Sequence, residues 1–210
     1  TLEKEAIENL VIDLRYNSGG SDGHAVYLAR HFFAQPFDYW DKIEVTEDVF
    51  NQIKGKYKIF YKKPRQQDST YLWRGARWWL SKEFNYYKQQ KPAKPTFKGK
   101  VYLISNGLCM SSCADLVAIL AHHHKAQVVG QESGGGYQGN TSGLMPTNPI
   151  FAHLEMTIPL QKYSNAVDPK HNFGRGTLPQ YPIYPSLEDW LNQRDVELNF
   201  VDNLIKNSLK

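Results

Sequence analysis

Two stretches far apart in the chain share one pattern: a short apolar run, a stop made of turn residues, then a helical stripe. The first run is Asn9-Leu10-Val11-Ile12-Asp13-Leu14-Arg15, halted by Asn17-Ser18-Gly19-Gly20. Short, branched and apolar, it reads as a buried strand, and the turn residues end it. Asp22 is the expected N-cap of a helix over His24 to Phe33, with Val26, Leu28, Ala29 and Phe32 as its stripe and Pro36 as its stop. The second run is Val101-Tyr102-Leu103-Ile104-Ser105, turning at Asn106-Gly107. A helix then begins at Ser111 or Ser112 and runs to about His123, and Gln127-Val128-Val129-Gly130 is a third short strand. Strand and helix in alternation predict an α/β core.

At 210 residues the chain is long enough for one domain with a substantial core and a modest appendage. No apolar run approaches the roughly 18 residues of a membrane-spanning helix. Cys109 and Cys113 are the whole cysteine complement, which rules out a disulfide scaffold and a four-cysteine zinc site; both are expected to be small buried residues. Thr1 opens the chain with neither an initiator Met nor an export signal, so a fragment or a mature form is expected.

The net charge of +4 conceals an asymmetry. From Lys54 to Lys100 there are 14 Lys and Arg against Asp68 and Glu83, a local +12, while the remainder sums to −8. The same region is dense in Trp, Tyr and Phe. Residues 36–97 therefore read as a basic, aromatic insert in a core made of 1–35 and 98–210. Leu72, Trp73, Ala76, Trp79 and Leu80 predict an amphipathic helix over 70–90, and Lys91 to Lys98 a linker back. Elsewhere, 2–8 reads as a helix end, 154–160 as a strand, and Leu187 through Leu209 as one helix.

The chemistry concentrates where turns follow the two long strands. Paired glycines free backbone N–H groups to face a ligand. A serine at a helix mouth meets unsatisfied N–H groups and the positive dipole end. A hydroxyl there, facing a glycine turn, is the layout of acyl transfer: the nucleophile attacks a carbonyl and amides from both loops hold the oxyanion.

The stretches Leu10 to Gly20 (LVIDLRYNSGG), Val101 to Gly130 and Gly174-Arg175-Gly176 with Pro179 resemble the catalytic domain of the C-terminal processing (tail-specific) peptidases and the tricorn-core serine peptidases. The resemblance implies a Clp-protease- or crotonase-like superhelical α/β core and a serine peptidase acting on peptides or proteins, with no cofactor and no metal. It places the nucleophile on Ser111, with Ser112 the second choice. It gives one oxyanion amide to Ser112 and the other to Gly19 or Gly20. Processing peptidases carry a lysine base shortly after the third strand; Gln131 to Gly136 contains none. Tricorn-type members use serine, histidine and a glutamate, with the histidine far upstream, which here falls before Thr1. Glu132 and Asp168 are the candidate acids. Relatives with processing roles are usually exported, so an extracytoplasmic site is expected, and an oligomer is compatible with the family.

Each signal has a plainer reading. Ser111 suits a helix cap, and Gly19-Gly20 an ordinary turn. His24 is read as structural. His122-His123-His124 cannot converge on one ion, because successive helical residues point about 100° apart. Gly134-x-Gly136-x-x-Gly139 copies a dinucleotide fingerprint, but no helix follows it; either Gly134 and Gly135 line a peptide groove or the loop is a plain connection. Asn140-Thr141-Ser142 spells a glycosylation sequon. The insert reads as a satellite core with a lysine rim, as a lid over the groove, or, less favoured, as a nucleic-acid surface. The competing function is a non-catalytic peptide- or ligand-binding module on the same fold.

Overall fold

The computed structural model describes residues 6–55, 57–77, 79–80, 88–151 and 153–208. In chain order its elements are β1 (Asn9–Asp13), α1 (Asp22–Ala29), β2 (Trp40–Val45), α2 (Glu47–Lys54), β3 (Arg65–Gln67), β4 (Thr70–Leu72), β5 (Lys100–Ser105) and α3 (Ser112–His122). There follow β6 (Gln127–Gly130), β7 (Gly139–Ser142), β8 (Thr147–Phe151), β9 (Leu154–Thr157), β10 (Gln161–Asn165), β11 (Tyr181–Pro182), α4 (Leu187–Leu191) and α5 (Val196–Ser208). The chain divides into one unit of residues up to Phe37, Lys91–Gln138 and Val167 onward, and a second of Asp38–Gln90 and Gly139–Ala166. Among the described residues no helix is long and apolar enough to cross a membrane.

The first unit is a parallel sheet in the order β1-β5-β6-β11. Successive side chains of a strand point to opposite faces, and β5 is buried on both. Tyr102 and Ile104 join Val129 and Val201, with Phe200, Leu204 and Ile205 of α5 packed against them. Val101 and Leu103 are equally buried toward the other side, where α3, in contact with β6 and α1, is buried from Ser112 to Leu120. Asp13 pairs with Ile104 across the β1–β5 ladder, and the Leu14 N–H reaches the Ile104 carbonyl at 2.8 Å. Both strands therefore end level, and the loops that leave them emerge side by side at the carboxyl edge, where open α/β sheets bind ligands.

The second unit is an antiparallel sheet, β3-β4-β2-β10-β7, with α2 against β4 and a separate β8–β9 hairpin. Its core holds Trp40, Ile43, Val45, Val49, Ile53, Trp73 and Tyr163. Trp40 meets Tyr163 edge-on at 5.1 Å, and Phe50 stacks on Tyr71 at 4.2 Å.

The structure departs from the sequence expectations in several places. The helix expected over 70–90 is absent from its described part. Asp68, at φ +52, turns the chain between β3 and β4, and Thr70 to Leu72 add to the sheet through β2, with the Thr70 hydroxyl donating to Glu44 at 2.9 Å. Residues Trp78 and 81–87 lie outside the described residues. The helix expected over 187–209 breaks between α4 and α5. Gln193 takes a positive φ of 52° there, and Asp195 accepts the Leu198 N–H at 3.0 Å to start α5 afresh. Ser21, not Asp22, is the N-cap of α1. Ala6, Ile7 and Glu8 are not helical, and the rest of 2–8 lies outside the described residues.

Candidate active site

Ser111 occupies the N-cap of α3 with φ +52 and ψ −133, a conformation L-residues rarely adopt. Holding a non-glycine residue there costs about 1–3 kcal/mol, and such strain clusters at functional sites. Its side chain makes no capping hydrogen bond. Ser111 is thus the cap by position, but its hydroxyl is not engaged by the helix. A strained serine on a sharp turn that opens a helix is the geometry of a nucleophile elbow. Ser112 is buried at the first helical position, where its N–H has no acceptor within the helix.

The glycine turn after β1 is pressed against this elbow. A Cβ on Gly19 (φ +97) would stand 2.7 Å from the Ser111 Cβ and 2.7 Å from the Met110 carbonyl oxygen, so no larger residue fits. The Gly19 N–H donates to Asn17 Oδ1 at 2.9 Å. Gly20 (φ +147) is open: a Cβ there would meet nothing within 4 Å. From the other side comes the glycine loop: the Gly135 N–H reaches the Cys109 carbonyl at 3.1 Å. A Cβ on Gly135 would lie 3.2 Å from the Ser111 nitrogen, and one on Gly134 3.1 Å from the Met110 Cγ. Gly19, Ser111, Ser112, Gly134 and Gly135 are thus gathered in one place within the first unit. The strand β7 follows this glycine loop, so the dinucleotide motif lacks its helix.

Two asparagines that the sequence showed only as turn residues join the loops. The Asn17 carbonyl accepts the Met110 N–H at 3.1 Å. Asn106, buried, offers its Oδ1 to the Tyr16 N–H at 3.2 Å and to the Leu108 N–H at 3.0 Å. A turn asparagine after each strand was the available signal. Further back, Arg15 bonds Asp13 at 2.7 Å, Asp195 at 2.6 Å and Glu197 at 3.3 Å, tying the end of β1 to the start of α5. The guanidinium holds the Asp13 and Asp195 carboxyls below their ordinary values, and their bonds raise its own.

The two candidate acids sit differently. Glu132 is bound by Arg175 at 2.7 Å and accepts the Gly176 N–H at 2.9 Å, and the Arg175 hydrogen bond keeps its carboxyl below the usual range. Asp168 accepts the Lys170 N–H at 2.9 Å, and its own N–H points to His122 Nδ1 at 3.5 Å. The Tyr137 hydroxyl lies 3.3 Å from the same nitrogen, and burial lowers the His122 value. His122 faces Tyr137, while His123 packs edge-on both to Phe33 at 5.1 Å and to the His122 ring at 4.9 Å. His24 lies exposed in the first turn of α1. Cys109 and Cys113 are buried as expected, but they are joined in a disulfide, with their Cα atoms 5.6 Å apart on either side of Ser111.

Among curated proteins none matches the sequence significantly. Among solved structures, a candidate peptidase from Parabacteroides merdae matches with a TM-score of 0.60 at 17% identity, over 95% of this chain and 52% of that one. Mature CPAF in complex with lactacystin matches at 0.58 and 12% identity, over 96% of this chain and 44% of that one. Mature CPAF without it matches at 0.54 and 13%, over 95% and 44%. The chain thus spans about half the length of these structures, and the likeness establishes the α/β fold expected from the sequence. The model of peptidase family S41 matches residues 1–166. With the serine elbow and the glycine turn on its matched residues, the chain belongs to peptidase family S41.

Proposed function

We propose that the chain is the catalytic core of a serine peptidase, with Ser111 as nucleophile. The observation that carries this reading is the backbone strain at Ser111: a serine held at φ +52 with its hydroxyl free of any capping role. The Ser111 Oγ attacks the carbonyl carbon of a peptide bond while a base takes its proton. The tetrahedral oxyanion is held by the Ser112 N–H. The second donor is the Gly20 N–H, since that of Gly19 is engaged by Asn17. Each such donor supplies about 3 kcal/mol of barrier lowering. Collapse expels the amine, and water then releases the acyl group from Ser111.

The base is assigned to a histidine outside these 210 residues. The absence of a lysine from Gln131 to Gly136 supports it. Because Glu132 is committed to Arg175, Asp168 is the better candidate for an orienting acid. Substrates are peptides or proteins, entering along the Gly134–Gly135 loop. A disulfide beside the nucleophile favours an oxidising, extracytoplasmic compartment.

A fluorophosphonate probe on the full-length protein tests this. Covalent labelling at Ser111, lost in Ser111→Ala, is the expected result. Labelling that survives Ser111→Ala unchanged refutes the assignment. A protein that binds peptides but never labels or turns them over supports the binding-module alternative.

A further inference from the structure

We infer that the Cys109–Cys113 disulfide is the clasp that holds Ser111 in its reactive conformation; the inference rests on Ser111 being the nucleophile. A residue in a sparsely populated conformation stays there only when its surroundings over-determine it. The hydrogen bonds of this turn fix the neighbours of Ser111. The Cys109 N–H goes to the Asn106 carbonyl at 2.9 Å, the Met110 N–H to the Asn17 carbonyl at 3.1 Å, and the Cys113 N–H to the Met110 carbonyl at 3.1 Å. The Ser111 side chain adds no capping bond of its own.

The turn is closed by the bond between Cys109 and Cys113, two residues to either side of Ser111 and buried to 0% and 4% exposure. It makes a ring of Cys109, Met110, Ser111, Ser112 and Cys113. Both the attacking hydroxyl and the Ser112 amide that receives the oxyanion belong to that ring. The Cys109 carbonyl also accepts the Gly135 N–H, so the ring anchors the glycine loop. Opening the ring loosens nucleophile, oxyanion donor and groove wall together, without touching the sheet beneath them. Cys109 and Cys113 are positioning residues: they act through Ser111 and Ser112 and do not meet the substrate.

The test uses the full-length protein and a fluorophosphonate probe, with labelling rates followed over a range of probe concentrations before and after dithiothreitol. The dithiol gives two electrons and two protons to the Cys109–Cys113 bond, which becomes two thiols, while the reagent closes to a cyclic disulfide. Iodoacetamide capture of both thiols verifies the reduction. On reduction the limiting labelling rate should fall about ten- to a hundredfold, the range opened by a displacement of about 1 Å. The half-saturating probe concentration and the circular dichroism spectrum should hold, and reoxidation should restore the rate. The Cys109→Ala/Cys113→Ala variant should show the low rate and ignore the reductant; it also decides the matter where the buried bond resists reduction. An unchanged limiting rate in the verified reduced protein or in the double variant overturns the clasp. Alkylation of both cysteines in untreated native protein also overturns it. Absence of Ser111 labelling in every state overturns the peptidase reading itself, and the clasp with it.

Discussion

Gly19 lies so close to Ser111 that a Cβ added to the glycine would stand 2.7 Å from the serine's own Cβ. The contact joins the loop after β1 to the loop after β5, whose parent strands end level. Gly19→Ala therefore collides with the elbow and strains a backbone at φ +97. The collision is with backbone and with Ser111 itself, so the elbow must shift. Fluorophosphonate labelling should slow by about a hundredfold, as misplacements near 1 Å do. Urea unfolding should show a loss of about 1–3 kcal/mol. A Gly19→Ala protein that labels at the parent rate contradicts this packing.

Asn106 performs its joining role with one atom. Its Oδ1 accepts from Tyr16 in one loop and from Leu108 in the other. Asn106→Ala leaves both amides without that acceptor, at about 1–3 kcal/mol each where they are shielded from water. Asn106→Asp keeps an acceptor oxygen in place. Thermal unfolding should drop by several degrees for the alanine variant, at roughly 2–4 °C per kcal/mol for a chain of this size. The aspartate variant should recover most of that drop. Equal drops in the two would show that the side chain acts by bulk alone.

These two residues mark where sequence reasoning reached and where it stopped. The strands β1, β5 and β6 and the helix α3 were legible because each is short, apolar and bounded by turn residues, a local signal. The serine and the glycines came with them, since they sit at the ends of those elements. How Asn17 and Asn106 join the loops was hidden, because the partners that do so, Met110 for Asn17 and Tyr16 for Asn106, lie about ninety residues away in the chain. The region around Leu72 and Trp73 misled for a related reason. Apolar residues spaced at one, three and four fit a helix stripe, yet Tyr71 and Leu72 also suit a strand, and pairing with β2 decided the outcome. The break at Gln193 has no glycine or proline to announce it. Two cysteines four apart read as buried packing residues, and only the turn geometry joins them.

Arg15 makes stability depend on pH in a direction that can be worked out. Its bonds depress the folded-state values of Asp13 and Asp195. A depressed carboxyl stabilises the fold above its unfolded value, about 3.9 for Asp, and that contribution is lost as pH falls through the folded value. The parent protein should therefore lose urea resistance steeply below about pH 4. In Arg15→Met the Asp13, Asp195 and Glu197 carboxylates lose their common cation. At pH 7 the variant should be less stable by about 3 kcal/mol, because Glu197 is buried. On acidification its curve should fall less than the parent's, so the gap narrows toward pH 3. A gap that stays constant from pH 7 to pH 3 would exclude this ion cluster as the cause.

Strain at Ser111 makes one more prediction, in the opposite direction for stability and function. Ser111 holds φ +52 and ψ −133 at a cost of about 1–3 kcal/mol. Glycine adopts such angles freely but loses about 0.5–1 kcal/mol more conformational freedom on folding. The side chain removed makes no capping bond, so little else is lost. Ser111→Gly should thus be more stable than the parent by about 1 kcal/mol, raising Tm by roughly 2–4 °C, while labelling disappears. Ser111→Ala, which keeps a Cβ and hence the strain, should lose labelling without that gain. A Ser111→Gly protein that melts below Ser111→Ala would mean that the turn is relaxed, and the strain argument for the nucleophile would fall with it.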